Sequence, residues 1–600
     1  MLAQQEASRI DFVKLLPIEL LSPIFKNIVD SEYHDCTTIG NCLMVSSTWR
    51  FHILKSCSTI WQAVHVGEKN TRGSHRVCSI MPQVMHWVED LNLLCSFQPM
   101  LSRYYELLNN GDFTSLKSLS LKGQATLVMH GERYSVLQKL VKNNHTINSL
   151  CIESNSDHYH ALLSNILLIC SRITHLVFKA KTSVSIGYLP LHFRSCLVSL
   201  HLEAPNILHD QLEWMIGMCP NLRYLSINKI VDNATLASLR QQAPHLHSVS
   251  YNMGRLDHII KKHRQKNVME NSKKRKDGLR HFYIGSDESL GPYSFDVDEM
   301  KAYIDTHCET LQELRINFPS NGPSYTIQSQ HQLQLVNSNE NDIIYSQLLS
   351  LDCCDLVIHR NDRFNYNALV ADIIEHSPIL ERLTLDYLYF PSTLFYAFAH
   401  KENHSRKNSL RELVLKRMTF TSRSTYAFEA FVKAQTNQPT LETIVLDACP
   451  NFSDERLVDL VEIPTLCKLV MKDQYSLTTS GLCDMANKAA MHHSLQVIKI
   501  KGLSTNTLDF KSVLTELANV KSLVHVEVDP SYDDPYPLMS GPFFSNLMLG
   551  MQKLVDTSNS IRVIHIKGYA MKHWAYQHRE MTLLLKTRAH AKSITINGLE

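Results

Sequence analysis

The 600-residue sequence contains no C-x-x-C pair, no long glycine-rich loop of the phosphate-cradling kind and no H-E-x-x-H helix. Those absences argue against paired-cysteine zinc sites, P-loop nucleotide chemistry and the metalloprotease helix. His400 and His404 stand at the i, i+4 spacing, but Lys401 rather than Glu follows His400, so this stretch reads as surface polar sequence. Charge of one sign is missing as well. The formal net charge is +2, without the strong basic excess of a dedicated nucleic-acid binder. The most apolar window, Ala161 to Cys170, is too short to span a bilayer. MLAQQEASRIDF carries Glu6 and Asp11 and lacks the apolar h-region of a secretory leader. The 15 cysteines are scattered, with Cys353 and Cys354 adjacent, and an odd number excludes a complete disulfide framework. The expectation is a soluble protein of the cytoplasm and/or nucleus, with reduced thiols, no metal and no cofactor.

What is present is a repeat. Hydrophobic residues make up 44% and charged residues 20%, the balance of a folded chain, yet 600 residues exceed what one core supports. From about residue 85 the pattern apolar-x-x-apolar-x-apolar recurs. It runs from Val88-Leu91-Leu93 and Leu116-Leu119-Leu121 to Ile561-Ile564-Ile566 and Ala591-Ile594-Ile596. There are about 17–18 units at about 30 residues per step, near the long end of leucine-rich repeats. Between motifs lie helix-forming segments, such as Ala234 to Ala243 before Pro244 and Asn367 to His376 before Pro378. Each unit therefore reads as one strand followed by one helix, with strand leucines buried against the helices of neighbouring units. The phrase CPNLRYLSI, Cys219 to Ile227, resembles the strand entry of F-box proteins with leucine-rich repeats. Unit length varies, and the Asn or Cys ladder after the strand is mostly absent. Polar insertions follow the motifs at Leu314 and Val526, and Lys261 to Lys276 is strongly basic.

The front of the chain differs. Leu16-Pro17 opens a stretch in which Leu20, Leu21, Ile24, Phe25 and Ile28 form one wide apolar stripe on a helix. Pro17 suits a helix start, and Leu43, Val45, Trp49 and Trp61 supply later anchors. A helical module of about 50 residues is marginal for a self-sufficient core, so surplus apolar surface on it points to a partner. A plain helical cap on the repeat array would carry the same amphipathicity. The ordered set Leu16-Pro17, Ile24-Phe25, Val45 and Trp49 resembles an F-box, the module that docks on a Skp-family adaptor in a cullin-based SCF ubiquitin ligase. The resemblance implies an adaptor-facing set of Leu16, Pro17, Leu20, Leu21, Ile24, Phe25, Ile28, Val45 and Trp49, with Trp49 and Trp61 stabilising the module.

The fold expected is α/β: a leucine-rich-repeat solenoid, a horseshoe with a parallel concave sheet, preceded by a small all-α F-box module. The divisions are an adaptor-docking module over 10–63, a connector over 64–84 and irregular repeats over 85–600. In Leu-x-x-Leu-x-Leu-x, the third, fifth and seventh positions alternate outward on the open sheet face. There, charged residues are sparse before Leu311 and dense after it. Candidate substrate-binding residues are Arg315, Asp352, Arg382, Asp386, Lys416, Lys468, Lys472, Lys499 and Lys501, with the four later lysines forming a basic patch. A solvated face carries charge for solubility alone, whereas a patterned one selects a partner. The Lys261–Lys276 run resembles a bipartite nuclear-import signal, and a solvated loop explains it equally well.

The functional expectation is a non-catalytic subunit of an SCF ubiquitin ligase that recruits a protein substrate and acts by proximity. It would contact neither nucleic acid nor membrane. The alternative is a ligase-independent repeat scaffold. A third class, a ligase enzyme with its own cysteine, lacks a separate catalytic domain after the final motif.

Overall fold

The apolar-x-x-apolar-x-apolar motif leads into a strand from Val88-Leu91-Leu93 through Ile561-Ile564-Ile566, whereas at the last one Ala591 is an exposed helix end and Ile596, not Ile594, pairs with Ile564. The protein is seen as a computed structural model that describes residues 16–29, 36–55, 58–67, 71–95, 98–123, 146–154, 163–181, 190, 192–204, 207, 209–228, 239, 241–243, 245–251, 278–285, 297–318, 343–355, 363–387, 391–399, 409–420, 422–502, 508–529, 541–567 and 579–598. The basic run 261–276, His400, His404 and most of 234–243 lie outside the described residues. The chain divides into two compact units, Met1–Asp277 and Gly278–Glu600.

In the first unit the strands are β1 (Ala63–Val66), β2 (Asp90–Cys95), β3 (Ser118–Gly123) and β4 (Ser149–Ser154), then β5 (His175–Ala180), β6 (Ser199–Glu203), β7 (Tyr224–Asn228) and β8 (Ser248–Tyr251). The second unit holds β9 (His281–Gly285), β10 (Glu313–Phe318), β11 (Ser350–Asp355), β12 (Arg382–Tyr387), β13 (Glu412–Lys416) and β14 (Thr443–Asp447). It ends with β15 (Lys468–Lys472), β16 (Val497–Lys501), β17 (His525–Asp529), β18 (Val563–Ile566) and β19 (Thr595–Asn597). Within each unit consecutive strands pair in parallel. Leu119 lies beside Leu150, Leu150 beside Leu176, and Leu176 beside Leu200. In the second unit Leu383, Leu413, Ile444, Leu469, Ile498 and Val526 make one such row.

The registers follow from burial. Each motif leucine must face the helical layer, and a slip of one residue would turn it outward. Leu413, Ile444, Leu469 and Ile498 are all buried, whereas Val414, Val445, Val470 and Lys499 on the opposite face are partly exposed. Where the crossovers are described, as between β12 and β18, helices make them, the connection that parallel pairing calls for. Helix Arg363–Glu375 buries Leu369 and Ile373, the two positions that its sequence periodicity places inward. These units are leucine-rich repeats.

β1 was not expected. Trp61, Val64 and Val66 carry the repeat motif themselves, and β1 pairs with β2 from Ala63 opposite Asp90 to Val66 opposite Leu93. Residues assigned to a connector thus supply a strand and the helix Thr71–Ile80.

Two polar devices knit successive units. A hydroxyl just before the motif bonds the carbonyl of the previous unit's first apolar residue. Thr146 donates to Leu116 (2.7 Å), Thr310 to Leu279 (2.8 Å), Thr440 to Leu410 (3.0 Å) and Ser522 to Leu495 (2.8 Å). After β13 to β16 the chain turns through left-handed residues, Arg417, Ala448, Asp473 and Gly502. Their N–H groups donate to the carbonyls of Asp447, Lys472, Lys501 and Asp529, extending the ladder by one rung. At Gly502, where φ is +57°, an added Cβ would meet Asp473 Oδ1, so a side chain there needs that carboxylate to shift.

Among the helices of the second unit, Lys301 Nζ donates to Asp372 Oδ2 at 2.6 Å and lies 3.3 Å from Asp305. His376 Nδ1 is 3.0 Å from Asp372 Oδ1, and the Tyr345 hydroxyl donates to Asp305 at 2.5 Å. Burial alone would raise the Asp372 carboxyl, but its bonds to His376 and Lys301 hold it at about 2. The bond to Asp372 raises His376 above its ordinary value, against the opposing effect of burial. A depressed carboxyl stabilises fully above its unfolded pKa near 4, and that contribution fades as pH falls through about 2. The raised imidazole stabilises below about pH 6.5 and loses its contribution as pH climbs through the higher folded value. Asp372→Asn is expected to cost about 1 kcal/mol between pH 4 and 6, allowing for partial solvent screening. Melting curves at stepped pH should show that difference shrink both below pH 3 and above neutrality. A constant difference from pH 2 to 9 would refute the linkage.

Candidate functional site

The helical front consists of Ile18–Val29, Cys36–Val45, Ser47–Lys55 and Ser58–Trp61. Pro17 precedes the first helix, and its carbonyl accepts the N–H of Leu20 at 3.0 Å. Trp61 is fully buried and its indole N–H donates to the Ile53 carbonyl at 2.9 Å. Leu21, Ile39, Leu43, Trp49, Ile53 and Leu54 are buried with it. On the outside are Leu20 (50% exposed), Val45 (59%), Met44 (55%) and Phe51 (59%).

The expected adaptor-facing set is therefore split. Pro17, Leu20 and Val45 are exposed, and Leu16 and Ile24 are half-buried. Leu21 and Trp49 point into the module, where they hold helices together and offer no surface to an outside protein. The side chains of Phe25 and Ile28 lie outside the described residues. Met44 and Phe51, on the second and third helices, join the exposed apolar set beyond the residues the resemblance implies. The signal was an apolar residue on each side of the polar Ser46-Ser47-Thr48 step.

The open face of the second unit is the other candidate. Near its N-terminal end the Tyr283 hydroxyl donates to Glu313 Oε2 at 2.5 Å. The Arg315 guanidinium lies 5.1 Å from the Tyr283 ring centroid and 3.9 Å from Asp352. Burial raises the Asp352 carboxyl, with Arg315 and Lys416 opposing. Arg382 is exposed at the start of β12, with Glu412 opposite in register. Asp386 accepts a two-pronged pair from Arg417, Nε at 2.9 Å and Nη2 at 2.6 Å. Lys416 sits between Asp386 and Asp447 in register.

The four lysines expected to form a basic patch do fall on adjacent strands, but most of their charge is met locally. Lys472 lies 3.4 Å from Asp447 and 3.8 Å from Asp473. Lys499 and Lys501 reach Glu527 at 2.6 and 3.2 Å, and Lys567 joins them at 2.8 Å. Glu527 is fully buried. Burial pushes its carboxyl upward, yet bonds from Lys499, Lys567 and Lys501 hold it at about 2. The repeat alternation puts all four residues on the open face, but the complete burial of Glu527 beneath the lysines is not written in the pattern.

The first unit's open face is quieter. Lys179 pairs with Glu203 at 2.9 Å, and His201 Nδ1 meets Ser226 Oγ at 2.8 Å. His201, its Nε2 3.7 Å away, and Lys179 keep Glu203 at about 2 despite burial. Buried thiols are unreactive by environment: burial pushes Cys170 and Cys219 up to about 12 and Cys449 to about 11. No described helix is long and apolar enough to cross a membrane.

No family model matches this chain, and no curated protein matches it. Among solved structures it is similar to an internalin from Listeria monocytogenes, with 11% identity and a TM-score of 0.30. That likeness covers 76% of this chain and 92% of the internalin chain.

Proposed function

We propose that this chain is a substrate-recruiting subunit of a cullin-based SCF ubiquitin ligase. Its helical front docks a Skp-family adaptor, and its repeat face holds a protein substrate. The observation that carries the reading is an apolar surface on a module too small to leave one idle: Leu20, Met44, Val45 and Phe51 are each at least half exposed, around a fully buried Trp61. Large exposed apolar groups of this kind are the anchors of protein interfaces, each contributing roughly 1.5–3 kcal/mol on burial before the costs of association. The repeats supply a long row of partly exposed side chains and need no reacting group. Their contribution is effective concentration.

Replacing Leu16 and Pro17 with alanine is expected to weaken capture of a purified Skp-family adaptor at least tenfold. The melting temperature should stay within about 2 °C, because both residues lie at the edge of the first helix and not in its core. Equal adaptor capture by wild type and the double variant would sink the proposal. Co-purification of a cullin and turnover of a bound protein then distinguish ligase subunit from scaffold.

A further inference from the structure

One stretch of the open face has a built-in imbalance of charge. Across β13 to β18 the middle outward position of each strand forms a continuous row: Val414, Val445, Val470, Lys499, Glu527 and His565, each opposite the next in register. The first three are apolar and partly exposed. Glu527 is fully buried, and three ammonium groups lie within 3.2 Å of its two oxygens. Glu527 and Asp529, which lies opposite Lys501 in register and acts on Lys567, thus set two negative charges against three positive ones. Each ammonium lies within ion-pair reach of Glu527 and carries three donors. Donors not aimed at Glu527 can turn outward, since the side chains of Lys499, Lys501 and Lys567 are 26%, 30% and 50% exposed.

The neighbouring groups point the same way. His525 and His565 stack edge to face, 4.9 Å between centroids, at the margin of the lysine cluster. Burial lowers the His525 pKa, and the charges of His565, Lys499 and Lys567 lower it further. His525 Nε2 is buried with no hydrogen-bond partner among the described residues.

His525, Glu527 and His565 also bring ligand atoms within 4.8 Å of one another, the spacing a metal ion would use. The lysines argue against that. A divalent cation needs the Glu527 oxygens that three ammoniums already hold, and it would add two positive charges beside them. An anion meets the opposite situation. It finds spare donors and a local excess of one positive charge to neutralise.

We propose that this stretch binds an extended acidic segment of a partner protein, its apolar side chains on Val414, Val445 and Val470 and a doubly negative group on Lys499, Lys501 and Lys567. The inference rests on the reading that the repeat face holds a protein, and not on adaptor docking at the other unit. Strands stand about 4.8 Å apart, so the three valines and the lysine cluster span about 15–20 Å, the reach of five or six extended residues. A nucleic acid fits poorly. Asp386, Asp447 and Asp529 lie on the same face and would repel a continuous polyanion, and the apolar row offers valines, not aromatic rings for bases to stack on.

The test is selection of a random octapeptide phage library on the full-length chain, followed by fluorescence anisotropy of the enriched peptide. Enriched sequences should place two adjacent acidic residues beside two or more aliphatic ones. The enriched peptide should bind at least tenfold more weakly to Lys499→Gln/Lys567→Gln and when its acidic pair is replaced by lysines. The Lys499→Arg/Lys567→Arg protein should retain most of the affinity, and a peptide with one phosphoserine for the acidic pair shows whether a phosphoryl group substitutes. Enrichment without acidic residues, or equal binding to the glutamine variant, overturns the inference. So does displacement by oligo-dT at lower concentration than by unlabelled peptide. Adaptor capture measured on the same preparations separates failure here from failure of the docking module.

Discussion

Phe428→Ala is expected to destabilise the second unit by about 3–5 kcal/mol, the largest loss from any single side chain on its helical layer. Phe428 is fully buried and sits in a cluster of rings. Its centroid is 5.7 Å from Phe420 and from Phe452, both edge to face, and 6.4 Å from Phe395 and Phe431. Phe420 and Phe452 are themselves 5.1 Å apart, and the Arg456 guanidinium covers Phe420 at 5.1 Å. Edge-to-face pairs add about 0.5–1.5 kcal/mol each beyond burial. The cavity left by truncation is walled by side chains fixed from several units, so little of it can collapse. Urea unfolding followed by circular dichroism measures the loss. A value near 1 kcal/mol would show the cluster to be loose. Phe428→Leu should recover more than half of the difference.

Trp61→Ala is expected to unfold the helical front while leaving the second unit intact. Truncating a buried Trp costs about 3–5 kcal/mol, and the Ile53 carbonyl loses its donor, for about 1 kcal/mol more. A module of about 50 residues has no such reserve. Trp61 also joins two structures, since it ends the fourth helix and sits where the motif leading into β1 begins. Hydrogen exchange should show protection lost over Ile18–Trp61 and reduced in β1 and β2, with β9 to β19 unchanged. Adaptor capture should vanish with it. Retained protection in the first helices would mean the module is held by something other than this residue.

The repeat was legible because its signal is a period, and periods survive irregular spacing. Every motif from Val88-Leu91-Leu93 to Ile561-Ile564-Ile566 leads into a strand, and only the last is displaced, with Ile596 in place of Ile594 opposite Ile564. β1 escaped because Trp61 had already been given a role in the helical front, although Trp61-Val64-Val66 has the same spacing. The rungs made by Thr146, Thr310, Thr440 and Ser522 could have been found, since each hydroxyl stands one residue before its motif. The left-handed residues could not. Arg417 and Ala448 carry no mark of that conformation, which is imposed by the ladder they join.

At the candidate sites sequence did less. It gave the alternation that puts Lys468, Lys472, Lys499 and Lys501 on the open face with Glu527 and Asp529 on the next strand, but not that Glu527 is buried beneath two of them. Nor could it tell Leu20 from Leu21: adjacent positions on one stripe, one half exposed and one buried, are separated only by where the neighbouring helices pack.

The hydroxyl and left-handed rungs each connect one coil to the very next and to no other. A gene encoding such a chain can gain or lose an entire coil without orphaning any rung, because the flanking coils present the same groups to each other. Shorter insertions and deletions are then confined to the crossover between a strand and its helix, where no rung is made. Diversification by whole-coil duplication is the growth mode this architecture permits at least cost.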